Sequence, residues 1–304
     1  MSPAEPFHIP VLAEEAVKLL VRDPAGAYLD ATAGLGGHSA AVLARLGAGG
    51  RLLALDWDPA MAAACAEKLS PFGAAAKVVT ANFAGLAGVL KAGGGPPLAG
   101  ALFDLGISSV HYGAAERGFG FSVEGPLDMR INRGTSLTAR AIVNEWPPEE
   151  IEKVLREFGE EKNSFRIAAA IVRAREGGPV ETTFRLREIV EKLYGRSGPR
   201  GIHPATRTFM ALRIAVNSEL ENLGKGLDGI ADFMAPGGRI GVISFHSLED
   251  RIVKRHFLAM AAAGGWTIIT RKPVLPSERE VEGNPRARSA KLRVIERSGG
   301  APEK

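Results

Sequence analysis

Short apolar runs and helical patterns alternate through the first hundred residues. Ala27-Tyr28-Leu29, then "RLLALDWD", "KVVTANF" and "GALFDLGISS" read as four strands, each rich in aliphatic or β-branched residues. Between them lie segments of helical periodicity. "PVLAEEAVKLL" puts Val11, Leu12, Ala16, Leu19 and Leu20 on one face, and "SAAVLARLG" predicts a helix after the first strand. "PAMAAACAEKLSPFG" predicts another, with proline at its start and glycine past its end. Strand and helix in alternation predict βαβ units and a parallel sheet.

The alternation stops after Ser109. From about 113 to 205 the chain turns charged and helical, as in "PPEEIEKVLREFGEEKNSFRIAAAIVRARE". A structureless loop of that length is rare, so an inserted helical domain is expected. The α/β pattern then resumes. "TFMALRIAVNSELENLGKGLDGIADF" predicts one long helix, "APGG" a turn and "RIGVISF" a fifth buried strand. "GWTIIT" and "AKLRVIER" close the chain as two β-rich runs suited to an antiparallel pair. The expected division is 1–112 and 207–304 for a nucleotide-binding core, with 113–206 inserted for substrate recognition.

Composition narrows the class. The 304 residues are 45% hydrophobic and 24% charged, as in an ordinary globular protein. No apolar stretch reaches the roughly 18 residues of a membrane span. The start "MSPAEPFHIP" carries no secretory pattern, and the single cysteine, Cys65, suits a reducing cytoplasm. Six scattered histidines give no metal-ligand spacing, so no metal is expected. The net charge of +4 is uneven: residues 270–304 hold nine Lys/Arg against five Glu, whereas 1–112 hold seven against nine acids. A basic end fits either a polyanionic partner or a solvated tail.

"DATAGLGGHS" follows the first strand with three glycines in a loop. The dinucleotide fingerprint G-x-G-x-x-G fails here by one position, because Ser39 stands where the third glycine belongs. Four side chains nonetheless fall at successive strand ends: Asp30, Asp56, Phe83 and Asp104. Ligands of doubly wound sheets bind at those carboxyl ends, and a carboxylate after the second strand can accept both hydroxyls of a ribose. Taken singly, the acids read as turn or cap residues and Phe83 as core. Together they favour a ligand with ribose and adenine but no pyrophosphate, which suits S-adenosylmethionine better than NAD. An NAD-dependent oxidoreductase and a non-catalytic RNA-binding protein stay open as alternatives.

Seven stretches carry a more specific likeness: "DATAGLGGHS", "LLALDWD", "FDLGISS", "RGFGFSVEGPLDMRIN", "HPATRTFMALRIAVNSEL", "ISFHSLEDRIVKRHF" and "NPRARSAKLRVIER". From about His8 to Arg297 the chain closely resembles the bacterial RsmH (MraW) family. The resemblance implies a class I S-adenosylmethionine-dependent methyltransferase, a Rossmann-like doubly wound sheet with a helical insertion after the fourth strand. It implies methylation of the N4 amine of a cytidine in the decoding centre (P site) of 16S ribosomal RNA, in the cytoplasm. The partner is then the small ribosomal subunit, with either a monomer or a homodimer acting on it.

Carried over motif by motif, the cofactor contacts of the family fall on Gly36, Gly37, His38, Asp56, Phe83, Asp104 and His111, the last at a position where members vary. The strand-four stretch "DLGISS" departs from the Asp-Pro-Pro-aromatic motif of many amino-methyltransferases. Asp104 and His246 are the expected catalytic groups, Asp104 to orient the cofactor and the base and His246 as the polar group of "SFHSLEDR", the stretch after strand five that is expected to border the target pocket. The competing reading of His246 is structural, because Ser247-x-x-Asp250 has the form of a capping box. Arg130, Arg207, Arg286, Arg288 and Lys291 are expected on RNA phosphates.

Overall fold

Five of the apolar runs become parallel strands because both sheet faces are covered, which rewards continuous rather than alternating hydrophobicity. The structure, a computed structural model, describes residues 10–194 and 201–299. The opening nine residues, where the absence of a secretory pattern was read, lie outside that range. The chain forms two compact units, Met1–Gly106 with Leu220–Lys304, and Ile107–Glu219.

The first unit holds a seven-stranded sheet: β1 Ala27–Asp30, β2 Arg51–Asp56, β3 Ala76–Thr80, β4 Leu98–Asp104, β5 Met234–Ser244, β6 Trp266–Ile268 and β7 Lys291–Arg297. The spatial order is β3-β2-β1-β4-β5-β7-β6. β1 to β5 run parallel, β7 pairs antiparallel with β5, and β6 pairs antiparallel with β7. Its helices are α1 Ala13–Leu20, α2 Gly37–Leu43, α3 Pro59–Leu69 and α4 Leu86–Gly93. In the second unit lie α5 Ser109–Gly113, α6 Ala139–Glu145, α7 Pro148–Gly159, α8 Ser164–Glu176, α9 Thr183–Tyr194 and α10 Thr206–Asn217. α11 Glu219–Ile230, α12 Ser247–Ala263 and α13 Glu278–Gly283 follow.

The chain winds outward from β1 to β3 and returns to lay β4 on the other side of β1. Strand order reverses between β1 and β4, and their carboxyl ends flank the crevice where such sheets take ligands. Phe103, Leu29, Leu55, Leu86 and Leu227 form part of the core beneath it, each at most 1% exposed. Each such side chain contributes roughly 1.5–3 kcal/mol by burial.

The second unit has its own core, including Ile142, Ile151, Leu155, Ile167, Ile171, Leu186 and Leu212. α10 packs on α7 and supplies Phe209 and Leu212 to that core. The junctions therefore fall at 106/107 and 219/220, later at the C-terminal side than the expected 206/207.

Two helix expectations change. The long pattern from Thr208 breaks at Ser218, whose φ of 49° is left-handed, giving α10 and α11 in place of one helix. The glycine stop of α3 also comes late. α3 ends at Leu69 and continues as a 3-10 segment, Ser70–Ala75, in which Gly73 carries the left-handed turn.

Candidate active site

The glycine loop leaves β1 through Asp30. Gly34 and Gly36 have φ of 51° and 77°, backbone states that strain any residue with a Cβ. At Gly36 a Cβ would also meet Cys65 Sγ at 3.1 Å, whereas at Gly34 it would meet nothing within 4 Å. Gly36 is thus needed for packing as well as conformation, while Gly34 leaves open space beside its backbone. Asp56, at the end of β2, reaches across to this loop. Its Oδ2 accepts the Gly34 N–H at 2.7 Å and its Oδ1 accepts the Asp58 N–H at 2.8 Å. Asp56 thereby ties the end of β2 to the glycine loop, at a strand end where doubly wound sheets take a ribose.

Asp30 does a different job from the one its place suggested. It is 1% exposed and accepts from Ser39 Oγ at 2.7 Å and from the Thr32 N–H at 3.1 Å. Burial pushes its carboxyl above the usual carboxylate range, against the Ser39 hydrogen bond and the charge of His38. Asp30 therefore braces the loop from below. Ser39, which spoils the dinucleotide fingerprint, is the residue that satisfies it.

His38 Nε2 lies 3.3 Å from Asp104 Oδ2, with the ring 5% and the carboxylate 19% exposed. Burial disfavours the imidazolium, but Asp104, Asp30 and Glu280 outweigh it and hold His38 above its ordinary pKa. Thr32 Oγ1 accepts the Asp104 N–H at 2.6 Å and fixes the end of β4. Asp104 Oδ1 and His38 Nδ1 are both buried with no hydrogen-bond partner among the described residues. Buried polar atoms are seldom left so, and a bound ligand is the natural partner for both.

Phe83 stacks edge-on against Phe103, centroids 5.7 Å apart, and packs close over Gly226 of α11. It remains half-buried just past the end of β3, packed against the core. Gly37 sits at the first position of α2, packed near Pro10. His111 belongs to the second unit, where it is 5% exposed with its ring edge-on to Phe119.

His246 is the N-cap of α12. Its Nδ1 accepts the Glu249 N–H at 3.4 Å, its Nε2 lies 3.1 Å from Glu249 Oε1, and Glu249 Oε2 accepts the His246 N–H at 3.3 Å. The capping box therefore closes one residue earlier than Ser247-x-x-Asp250 implied, and it takes the imidazole's Nδ1, while the buried Nε2 has no hydrogen-bond partner among the described residues.

The basic candidates separate. Arg130 is spent on its own loop: Nε and Nη2 bind Asp128 at 2.7 and 2.9 Å, and Nη1 donates to the Arg133 and Thr135 carbonyls. The phosphate contact expected of it is replaced by a brace. Lys291 lies 3.3 Å from Asp250, which Arg293 also grips at 2.6 Å, so two cations share one carboxylate and the cluster keeps a net positive charge. Arg207 donates to the Glu160 carbonyl at 3.0 Å. Arg286 and Arg288 are exposed on the 3-10 segment Pro285–Ser289.

Sequence reading missed Thr32 and Glu280. Thr32 is legible as the one hydroxyl between Asp30 and the glycines. Glu280, whose Oε1 accepts the Leu12 N–H at 2.7 Å, has no local signal, because its partners lie at the other end of the chain.

Residues 5–298 match the MraW methylase family. Curated relatives are similarly close over their whole length. "Ribosomal RNA small subunit methyltransferase H" of Symbiobacterium thermophilum is 46% identical, the match covering 95% of this chain and 96% of that one. Its namesakes from Pelobacter propionicus and Heliobacterium modesticaldum are each 45% identical, covering 95% of this chain and 98% of theirs. Among solved structures, an O-methyltransferase from Bacillus cereus aligns with a TM-score of 0.46 at 8% identity, over 96% of this chain and 84% of that one. With the sheet order, the strand-end carboxylates and a match along nearly its whole length, this chain belongs to the MraW methylase family.

Proposed function

We propose that this chain transfers a methyl group from S-adenosylmethionine to the N4 amine of a cytidine in the P site of 16S ribosomal RNA. The observation that carries the reading is the crevice between β1 and β4. There the open side of Gly34, the Asp56 carboxylate and the unpartnered Asp104 Oδ1 meet at one sheet edge. Those features fit an adenosyl ligand: a main chain open to close approach, an acceptor for ribose hydroxyls and a buried anion for a cationic group.

When bound, S-adenosylmethionine supplies a methyl group on a sulfonium leaving group. The residues supply position. Asp56 holds the loop and accepts from the sugar, and Phe83 walls the crevice beside it. Asp104 Oδ1 accepts an N–H, either from the cofactor amine or from the target base, while His38 balances the carboxylate on its other oxygen. An exocyclic amine is a weak nucleophile because its lone pair is delocalised, so alignment and exclusion of water account for most of the acceleration. His246 acts as a positioning residue, fixing the start of α12. The base must arrive unpaired or flipped, since a stacked cytosine hides N4. Arg207, Arg286, Arg288 and Lys291 are the remaining phosphate candidates.

The test uses small ribosomal subunits lacking the modification, incubated with the protein and a radiolabelled methyl donor. Nucleoside chromatography should place the label in N4-methylcytidine. Label in another nucleoside, in protein, or nowhere would refute the assignment.

A further inference from the structure

α12, β6 and β7 border an open cavity of about 300 Å³ lined by Lys254, Phe257, Leu258, Ile268, Thr270 and Arg271, together with Arg293. It belongs to no part of the crevice described above. β6 lies at the end of the sheet, three strand spacings from β4, or about 14 Å. β6 is antiparallel to β7, which is antiparallel to β5, so β6 points the same way as β5. Thr270 and Arg271, just past its end, therefore emerge on the sheet edge that carries Asp56 and Asp104.

The charge of this region is one-sided. Between Arg251 and Ser277 the sequence has five cations, Arg251, Lys254, Arg255, Arg271 and Lys272, and no carboxylate. All five are exposed. Lys254 and Arg271 have no carboxylate partner among the described residues, in contrast to Arg293, which holds Asp250. The floor between them is apolar. Leu258 is 49% exposed, and Phe257 and Ile268 extend the apolar surface inward. Cations around an apolar floor match the two faces of one nucleotide, phosphate and base. A duplex keeps its bases stacked and offers only the first, whereas a single strand offers both. The volume lies at the small end of the range for ligand pockets, adequate for one ring system rather than a folded peptide segment.

We propose that this cavity takes an unstacked base of single-stranded RNA, with Lys254 and Arg271 on the adjoining phosphates. It acts as a second anchor on the same sheet edge as the crevice. The inference rests on the RNA reading above, but the surface is separate from the residues that hold the methyl donor.

The test measures fluorescence anisotropy of the full-length protein with a labelled ten-nucleotide cytidylate strand and with a labelled RNA duplex of equal length. Salt is varied, and calorimetry with S-adenosylmethionine is run in parallel. Lys254→Gln/Arg271→Gln should weaken single-strand binding about tenfold at 0.1 M salt and reduce the log–log salt slope by about 1.4. Leu258→Asn, a neutral change at a half-exposed position, should weaken the single strand several-fold and leave the duplex unaffected. Both variants should retain the parent's heat of cofactor binding, which also shows that they are folded. The proposal is overturned if both variants bind the strand like the parent. It is also overturned if Leu258→Asn is silent and the double variant loses strand and duplex equally, which would indicate non-specific attraction. Loss of the cofactor heat in the parent would instead refute the methyl-donor reading.

Discussion

Ser39 Oγ donates to Asp30 Oδ2 across 2.7 Å, and neither residue is more than 1% exposed. The carboxylate that seemed aimed at a ligand is consumed by the loop, and the serine that broke a nucleotide-binding fingerprint is its partner. The departure from G-x-G-x-x-G is thus a different way of building the loop.

Ser39→Gly restores the fingerprint on paper and should harm the protein. It leaves a buried acid without its donor, at about 1–3 kcal/mol, and adds up to about 1 kcal/mol for glycine in α2. Urea unfolding should show a loss of roughly 1–4 kcal/mol, and NAD binding should not appear. An unchanged midpoint would mean that Asp30 is satisfied by other means.

His246 should be replaceable by another capping residue. Asparagine is a strong N-cap, whereas alanine costs about 1 kcal/mol. His246→Asn is expected to keep both stability and methyl transfer within a few-fold of the parent, with His246→Ala less stable. If both variants lose activity while remaining equally folded, the imidazole itself takes part in the reaction.

Arginines that brace and arginines that bind RNA should separate by two readouts. Arg130→Gln removes four hydrogen bonds of the loop around Asp128, so it should lower stability and leave the salt slope of RNA binding alone. Arg288→Gln should reduce that slope by about 0.7, with stability changed by no more than about 0.5 kcal/mol. A reversed pattern would exchange their roles.

The Asp250 cluster predicts an acid limb. Burial raises the Asp250 carboxyl, but Arg293 and Lys291 more than offset it and hold it below the ordinary value. A carboxylate held below its unfolded value stabilises the fold above about pH 4 and loses that contribution as pH falls through the lowered folded value. At pH 7, Asp250→Asn should be less stable than the parent by about 1–3 kcal/mol. In urea titrations from pH 7 to pH 2 the gap should narrow below pH 4. A constant gap would show that the pairing contributes nothing to the pH dependence.

The strands were legible because parallel, doubly covered strands must be apolar throughout, and the glycine loop because positive φ selects glycine. The break at Ser218 was hidden since apolar spacing continues across it, although Asn217-Ser218 is itself a turn and cap signal. The duties of Asp30, Arg130, Lys291 and His246 were not legible. A polar residue looks the same in sequence whether its partner is a ligand or a neighbour, and these partners are fixed by three-dimensional placement. His38 with Asp104 shows the reverse case, two expected site residues brought within 3.3 Å from the start of α2 and the end of β4.

The most direct test of the central claim is isothermal titration of the folded protein with S-adenosylmethionine, beside Asp56→Ala and Asp104→Asn. The account predicts one-site binding in the parent, at least about tenfold weaker for Asp56→Ala, because a lost charged hydrogen bond costs about 1.5–3 kcal/mol, and weaker also for Asp104→Asn. Absence of heat with the parent, or identical affinities for all three proteins, would contradict it.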